Sequence, residues 1–432
     1  MSMSSGNFIL SLLLLLVTTS TSAADTLITG RPPLFSSGPF NYAVWEGEPL
    51  KLDCPVVRLE DRSVQWFHNE SKLADASGGV QFVDPAIAKD RGGVYRCFVE
   101  NGIGSSFSPA LNVSVQYLQG FIDPINADSF FHRKVVRGRP FIMTPPRLSA
   151  SDGLDLEWRW KFNSEDVISD ENNFITKGGQ LVILNSDRSF GAYEVAVRVK
   201  NNPQPRSAES QSYYVEQDDA HAPSSERFFI VYAPQHASVV RNKVKEQVFE
   251  CVPALWKGRI PDIKWYLDGN LLIADGKSVL VEELDRRLTL KYPANLVPRN
   301  VRTATVTCEA SAENGKYIEK AKATVSISTS PVIDRSTLPF EVSHRLGDSV
   351  RLNCNAGNAW PRARYTWHFG RDEITSSSSG SLTLSNITTA QFGMYMCEAT
   401  NSAGYDIAYV WVKLDECVIM SAEAQFVSAE VL

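Results

Sequence analysis

Apolar side chains recur at alternate positions in short runs along the chain, and several of the runs repeat one another. Gly93-Val94-Tyr95-Arg96-Cys97, Gly191-Ala192-Tyr193-Glu194-Val195 and Gly393-Met394-Tyr395-Met396-Cys397 align without a gap. A shorter unit, leucine followed two positions on by leucine or isoleucine, returns at Leu181 to Ile183, Leu288 to Leu290 and Leu382 to Leu384. Alternation sends successive side chains to opposite faces of a pleated strand, so these runs predict strands with one face in a core. Their return along the chain predicts a tandem array of one domain type.

Seven cysteines, at 54, 97, 251, 308, 354, 397 and 417, sharpen that expectation. Taken in chain order, Cys54 to Cys97 and Cys354 to Cys397 are each 43 residues apart, and Cys251 to Cys308 is 57 apart. Trp66, Trp265 and Trp367 follow the first cysteine of each pair after 12 to 14 positions. A strand-B cysteine, a strand-C tryptophan and a strand-F cysteine at these intervals are the signature of the immunoglobulin sandwich, in which the indole packs on the bridge between the sheets. Tyr95, Tyr193 and Tyr395, two positions before the strand-F core residue, predict tyrosine corners. On the chain-entropy model each bridge stabilises its domain by roughly 4 kcal/mol. No CxxC pair or Cys/His cluster has zinc-ligand spacing, and Cys417 is left over as an unpaired thiol or an intermolecular bridge.

The middle repeat exposes a domain that cysteine counting misses. Val195 stands where a strand-F cysteine is expected, and counting from the strand-B glycine, as Gly47 leads to Cys54 and Gly347 to Cys354, Gly138 leads to Pro145. This sandwich has to hold its sheets by packing, with Leu156, Trp158, Leu181, Ile183, Tyr193 and Val195 as its expected core. The third domain lacks the corner tyrosine, having Val306-Thr307-Cys308. Asn101-Gly102-Ile103-Gly104 and Asn401-Ser402-Ala403-Gly404 are expected to turn strand F into strand G, with Asn and Gly supplying positive φ. Phe107 and the strand expected there set the first stretch apart from a dinucleotide-binding glycine loop.

The expected layout is all-β: a signal peptide over 1–24, I-set-type immunoglobulin domains over 33–116, 117–216, 228–329 and 330–414, a linker over 217–227 and a tail over 415–432. The signal peptide is read from the apolar run Phe8 to Val17 and the small residues ending at Ala23-Ala24. No later apolar stretch reaches the roughly 18 residues that a span requires, and the polar C-terminus lacks a lipid-anchor signal, so the product is expected to be secreted. The junctions after domains one and three are tight. The polar linker is long enough for a sharp turn, which predicts a fold-back laying domains one and two against four and three.

A formal charge of −6 with the two signs interspersed provides no basic face, which argues against nucleic acid and against a polybasic membrane patch. The six histidines, His68, His132, His221, His236, His344 and His368, are scattered singly and are expected on the surface. With no HExxH, no GxSxG, no phosphate loop and no calcium loop, neither an enzyme nor a metal or cofactor site is expected. Asn69-Glu70-Ser71, Asn112-Val113-Ser114 and Asn386-Ile387-Thr388 are glycosylation sequons, and an occupied one is expected to keep its face in water.

Gly93-Val94-Tyr95-Arg96-Cys97-Phe98-Val99 leading to Val115-Gln116-Tyr117-Leu118-Gln119-Gly120-Phe121, a bridgeless second domain opening on Pro145-Pro146-Arg147-Leu148, an extended linker, and a long Cys251 to Cys308 loop holding Ile263-Lys264-Trp265 follow in that order. In this the chain resembles the N-terminal four immunoglobulin domains of the Sidekick family of neural cell-adhesion molecules, over nearly all of residues 33 to 414. The resemblance implies a horseshoe and homophilic adhesion between cells, acting in neuronal and synaptic recognition, with the first two domains presenting most of the self-binding surface. Another immunoglobulin-superfamily cell-surface protein is the alternative partner, with a soluble decoy or immune recognition protein as the alternative role. Sidekick proteins continue through further domains and a membrane span, so a short secreted form or a truncated gene model is expected here.

Overall fold

A computed structural model describes residues 30–38, 40–57, 63–73, 79–122, 132–202, 206–209, 212–219 and 228–415. The leader, Cys417, His221 and most of the expected linker lie outside the described residues. Apart from the 3-10 turns Lys89–Arg91, Pro293–Asn295 and Thr389–Gln391, the regular structure of the described residues is strand. It forms four two-sheet sandwiches, and in each an early strand runs parallel to the last: Phe40–Trp45 beside Leu111–Gln116, His132–Val136 beside Tyr213–Asp218, Ala237–Val240 beside Tyr317–Ser328, and Glu341–His344 beside Gly404–Leu414.

The cores follow from one register repeated four times. Strand C of the first domain, Ser63–His68, pairs with strand F, Gly93–Glu100, so that Trp66 lies across from Cys97. Trp265 lies across from Cys308 and Trp367 across from Cys397 in the same way. These three indoles are at most 2% exposed and pack beside the bridges Cys54–Cys97, Cys251–Cys308 and Cys354–Cys397, whose Cα atoms stand 5.8, 6.4 and 6.4 Å apart. The cost of burying each indole N–H is offset by a backbone carbonyl: Gly79 at 3.0 Å, Asp285 at 2.9 Å and Gly380 at 3.2 Å. In two of the three a left-handed residue presents that carbonyl to the ring, Gly380 at φ 68° and Asp285 at φ 63°.

The second domain corrects the sequence reading of its tryptophan. Trp160, not Trp158, lies across from Val195, is fully buried, and donates its indole N–H to the left-handed Gly179 carbonyl at 2.8 Å. Counting from Pro145 misplaced it because the connection from strand B to strand C is two residues longer here than in domain four. Trp158, two positions earlier on the same face, is half-buried and packs at the edge of this core as expected, so close over Gly179 that a Cβ there would lie 2.4 Å from the ring, while Leu156 is only half-buried. The remaining expected core residues, Leu181, Ile183, Tyr193 and Val195, are buried, joined by Phe141, Met143, Tyr213 and Val215.

The expected tyrosine corners form. Tyr95 donates to the Arg91 carbonyl at 2.8 Å, Tyr193 to Ser189 at 3.0 Å and Tyr395 to Gln391 at 2.7 Å. Burial pushes the phenols of Tyr193 and Tyr395 up to about 12. In the third domain, which lacks the tyrosine, the Arg241 guanidinium donates to the carbonyls of Ala294 and Pro298 on the connection between strands E and F. The first F to G turn departs from expectation: neither Asn101 nor Gly102 takes positive φ. The Asn101 side chain instead accepts from the amides of Ile103 and Gly104, each at 3.0 Å, and Asn401 does the same for Ala403 and Gly404.

Candidate interaction surfaces

Strand alternation sends Val94, Arg96, Phe98 and Glu100 to the outer face of the first domain, yet Phe98 is only 2% exposed. The fourth domain covers it with the Arg371 guanidinium, 4.5 Å from its ring centre, and Phe107 of the neighbouring domain-one strand packs on its edge at 5.0 Å. Met394 and Met396, outward by the same alternation in Gly393–Asn401, are each 1% exposed. The two C-F-G faces therefore look at each other. Arg96 meets Glu398 at 2.7 Å, with side chains 18% and 16% exposed. Tyr405 donates to the Ala110 carbonyl at 2.9 Å, Tyr409 to Phe107 at 2.8 Å, and Arg371 to the Gln65 side chain at 2.9 Å. Burial drives the Tyr409 phenol well above its ordinary value.

These contacts surround a cleft of about 690 Å³ whose walls include Phe67, Asn69, Arg96, His368, Arg371 and Glu398. His368 was expected on the surface; it is instead half-buried here, with no hydrogen-bond partner for its Nδ1. Burial holds its imidazole below the usual range, opposed by Glu398 and reinforced by Arg96. His68 is also partly covered, stacked 4.4 Å from Tyr95. His132 and His236 are exposed as expected, and His344 is half-buried.

Domains two and three meet through the other kind of face, the sheet of strands B, E and D, which are Phe141–Met143, Leu181–Ile183 and Asn173–Ile175 in domain two and Glu246–Glu250, Arg287–Lys291 and Val279–Glu282 in domain three. Phe174, Val182 and Leu184 of domain two close on Val252 of domain three, all at most 3% exposed. At the edge of this seam Arg286, 1% exposed, donates to the carbonyls of Asp170 at 2.6 Å and Glu171 at 2.8 Å. Three successive left-handed residues, Glu283, Leu284 and Asp285 at φ 53°, 59° and 63°, deliver it there. Arg287 donates to the Ile175 carbonyl at 2.7 Å and to Glu250 at 2.8 Å, and Glu250 also accepts from the Lys177 amide at 2.8 Å. Burial raises the Glu250 carboxyl despite Arg287 beside it.

Two faces of the first half remain free of these contacts. In domain one it is the B-E sheet, with Lys51, Asp53, Gln81 and Val83 exposed. In domain two it is the C-F sheet, where Arg159, Lys161, Glu194 and Arg198 are exposed around a depression of about 350 Å³ beside Ala196. Glu157 meets Arg198 there at 2.7 Å, which with Arg159 holds its carboxyl below the usual range. Of the sequon asparagines, Asn69 lies on the rim of the cleft, Asn112 donates to Asn41 at 3.1 Å on the last strand of domain one, and Asn386 is exposed on a turn. Sequence reasoning missed the interdomain contacts, whose partners lie 302 residues apart for Arg96 and Glu398. Their one signal was apolar residues, Phe98, Met394 and Met396, at outward strand positions.

Among the described residues no group of three or more His, Cys, Asp or Glu side chains is placed to hold a metal ion, and no helix is long and apolar enough to cross a membrane. Family models described as immunoglobulin domain match residues 32–115 and 330–401. The chain is 28% identical over 419 residues to Protein sidekick homolog of Caenorhabditis elegans, covering 94% of this chain and 17% of that protein. Protein sidekick homolog of Caenorhabditis briggsae is 27% identical, over 90% of this chain and 16% of its own length. The chain thus spans about a sixth of these relatives. Among solved structures, Sidekick-1 immunoglobulin domains 1-4 superpose with a TM-score of 0.74 at 20% identity, over 89% of this chain and 99% of that one. The insect immune protein hemolin superposes with a TM-score of 0.62 at 16% identity, over 89% of this chain and 100% of its own.

Proposed function

We propose that this chain, which is a Sidekick-like immunoglobulin protein, is an extracellular recognition protein that binds a second copy of itself through domains one and two, between cells and at neuronal contacts. It acts by contact and not by turnover. The observation that supports this reading is the closed array: domain four occupies the C-F-G face of domain one and domain three the B-E-D face of domain two. The faces left open are therefore a B-E sheet on one and a C-F sheet on the other. The open face of domain two mixes Arg159, Lys161, Glu194 and Arg198, which suits a two-fold contact in which each acid meets a base of the other copy.

Sedimentation equilibrium of the full chain tests it: a salt-sensitive dimer is expected at micromolar concentration, weakened at least tenfold by the pair Arg159→Glu and Lys161→Glu. A wild-type chain that stays monomeric at tens of micromolar overturns it. The likeness to hemolin supports a second reading, a soluble recognition protein for a different partner. A pull-down recovering another immunoglobulin-superfamily receptor or a microbial surface, without self-association, favours that reading.

A further inference from the structure

The turn joining Ser63–His68 to Ser71–Lys72 is built around Asn69, a sequon asparagine in left-handed conformation at φ 45°. Its side-chain Oδ1 accepts from the Val94 amide at 2.9 Å, and its amide plane lies over Gly93, where a Cβ would come within 2.5 Å of Oδ1. Domain two repeats the device: Asn163 accepts from the Ala192 amide at 3.1 Å over Gly191. In both turns the carbonyl end of the asparagine belongs to the fold.

The other end does not. Among the described residues Asn69 Nδ2 has one hydrogen-bonding neighbour, His68 Nε2 at 3.3 Å, and that nitrogen also lies 3.1 Å from the Gly92 carbonyl. A carbonyl only accepts, so Nε2 carries the proton and has no lone pair to offer Asn69. Nδ2 is thus fixed in space by its own Oδ1, uncommitted, and on the rim of the cleft between domains one and four. Asn112 differs, because its Nδ2 donates to Asn41.

The cleft suits the first sugars of an attached glycan. Its volume of about 690 Å³ falls within the roughly 300–1,000 Å³ of small-ligand sites. Phe67 and Phe107 present apolar surface to sugar C–H faces, while Arg96, Arg371, Glu373 and Glu398 offer donors and acceptors to hydroxyls and the acetamido group. We propose that Asn69 carries an N-linked glycan whose proximal sugars occupy this cleft and join domain one to domain four. The attachment replaces one Nδ2–H by a bond to the anomeric carbon of a lipid-diphosphate-linked oligosaccharide; the lipid diphosphate leaves with the bonding pair and the proton passes to base. Asn69 keeps its Oδ1 bond to Val94, so the turn survives modification.

This inference rests on the extracellular reading, and its test separates the two. The full chain is secreted from a glycosylating cell line, as wild type and as Ser71→Ala, which removes the acceptor signal while leaving Asn69 in place. Ser71 is exposed. Glycopeptide mass spectrometry after native endoglycosidase treatment is expected to show Asn69 occupied and trimmed at least tenfold more slowly than Asn386, with equal trimming after denaturation. Hydrogen exchange of segments 366–373 and 394–400 is expected to quicken several-fold in Ser71→Ala, with the secreted yield unchanged. Asn69 found bare, or trimmed as fast as Asn386, overturns the glycan inference while Asn386 occupancy upholds secretion. A chain retained in the cell with neither site modified overturns the extracellular reading itself.

Discussion

Domains two and three meet around an apolar cluster that leaves water altogether, whereas domains one and four meet around an open cleft, where partly solvated charged and phenolic groups join the buried Phe98, Met394 and Met396. In the first contact Phe174, Val182, Leu184 and Val252 are buried and two guanidiniums border them: Arg286 donates to two carbonyls of domain two, and Arg287 to the Ile175 carbonyl and Glu250. In the second, Arg96 and Glu398 keep 18% and 16% of their side chains in solvent, and His368 borders a cavity. Apolar burial carries no charge for ions to screen or protons to neutralise, while partly solvated charge pairs respond to both. The seam is held by burial, and the contact between domains one and four, the clasp, is the one that conditions can open.

The largest effect is expected at the seam. Phe174→Ala removes a fully buried ring and should lower the stability of the domain two and three unit by about 3–5 kcal/mol. Calorimetry should show its transition shifting down while those of domains one and four stay, and scattering should show a longer particle. An unshifted transition would break the comparison.

Arg286→Met comes next. It keeps much of the stem but strips the donors from the Asp170 and Glu171 carbonyls, which should cost about 3 kcal/mol of seam stability by denaturant unfolding. A loss as large in Arg96→Ala would show that the two contacts are not different in kind.

At the clasp, a double-mutant cycle on Arg96 and Glu398 should return a coupling of about 1 kcal/mol for closure, read from the closed fraction in scattering. Coupling should fall as salt rises from about 0.05 to about 0.5 M, over which the Debye length shrinks from about 14 to about 4 Å. A salt-independent coupling would assign the clasp to packing by Tyr405 and Tyr409.

How much of this was legible in the sequence follows from the range of the interactions. The bridges, indoles and corner tyrosines were readable because sheet geometry fixes the intervals between them within one domain. Trp160 was missed where no cysteine anchored the count and the connection before strand C had lengthened by two residues. Arg286 and Glu398 carried no signal, because a surface-coded charge becomes buried only when a distant domain folds over it. Phe98 did carry one: a phenylalanine on the face of strand F that alternation assigns to solvent.

The smallest effect is the pH response of the clasp, and its sign follows from His368. Burial holds the imidazole below its ordinary value of 6.5, so the closed array resists a proton that the open array accepts. Above 6.5 neither form is charged and the clasp is unaffected. As pH falls from 6.5 toward the depressed value, the open form gains the proton alone and closure weakens, by less than about 1.4 kcal/mol per unit. Glu398, Glu373 and Glu70 face the ring and soften the loss, while Arg96 adds to it. Glu250 at the seam runs the other way: its carboxyl is raised, so the cost of burying its charge is present at neutral pH and is relieved as pH falls through the raised value. Acid should therefore loosen domains one and four while sparing two and three. Hydrogen exchange at pH 7.5 and pH 5.5, corrected for intrinsic rates and taken as about one unit either side of the ordinary histidine value, should show protection lost in segments 63–68 and 394–400 but kept in 174–184. His368→Gln should abolish that loss, and a response that persists in the variant would place the titration on another group.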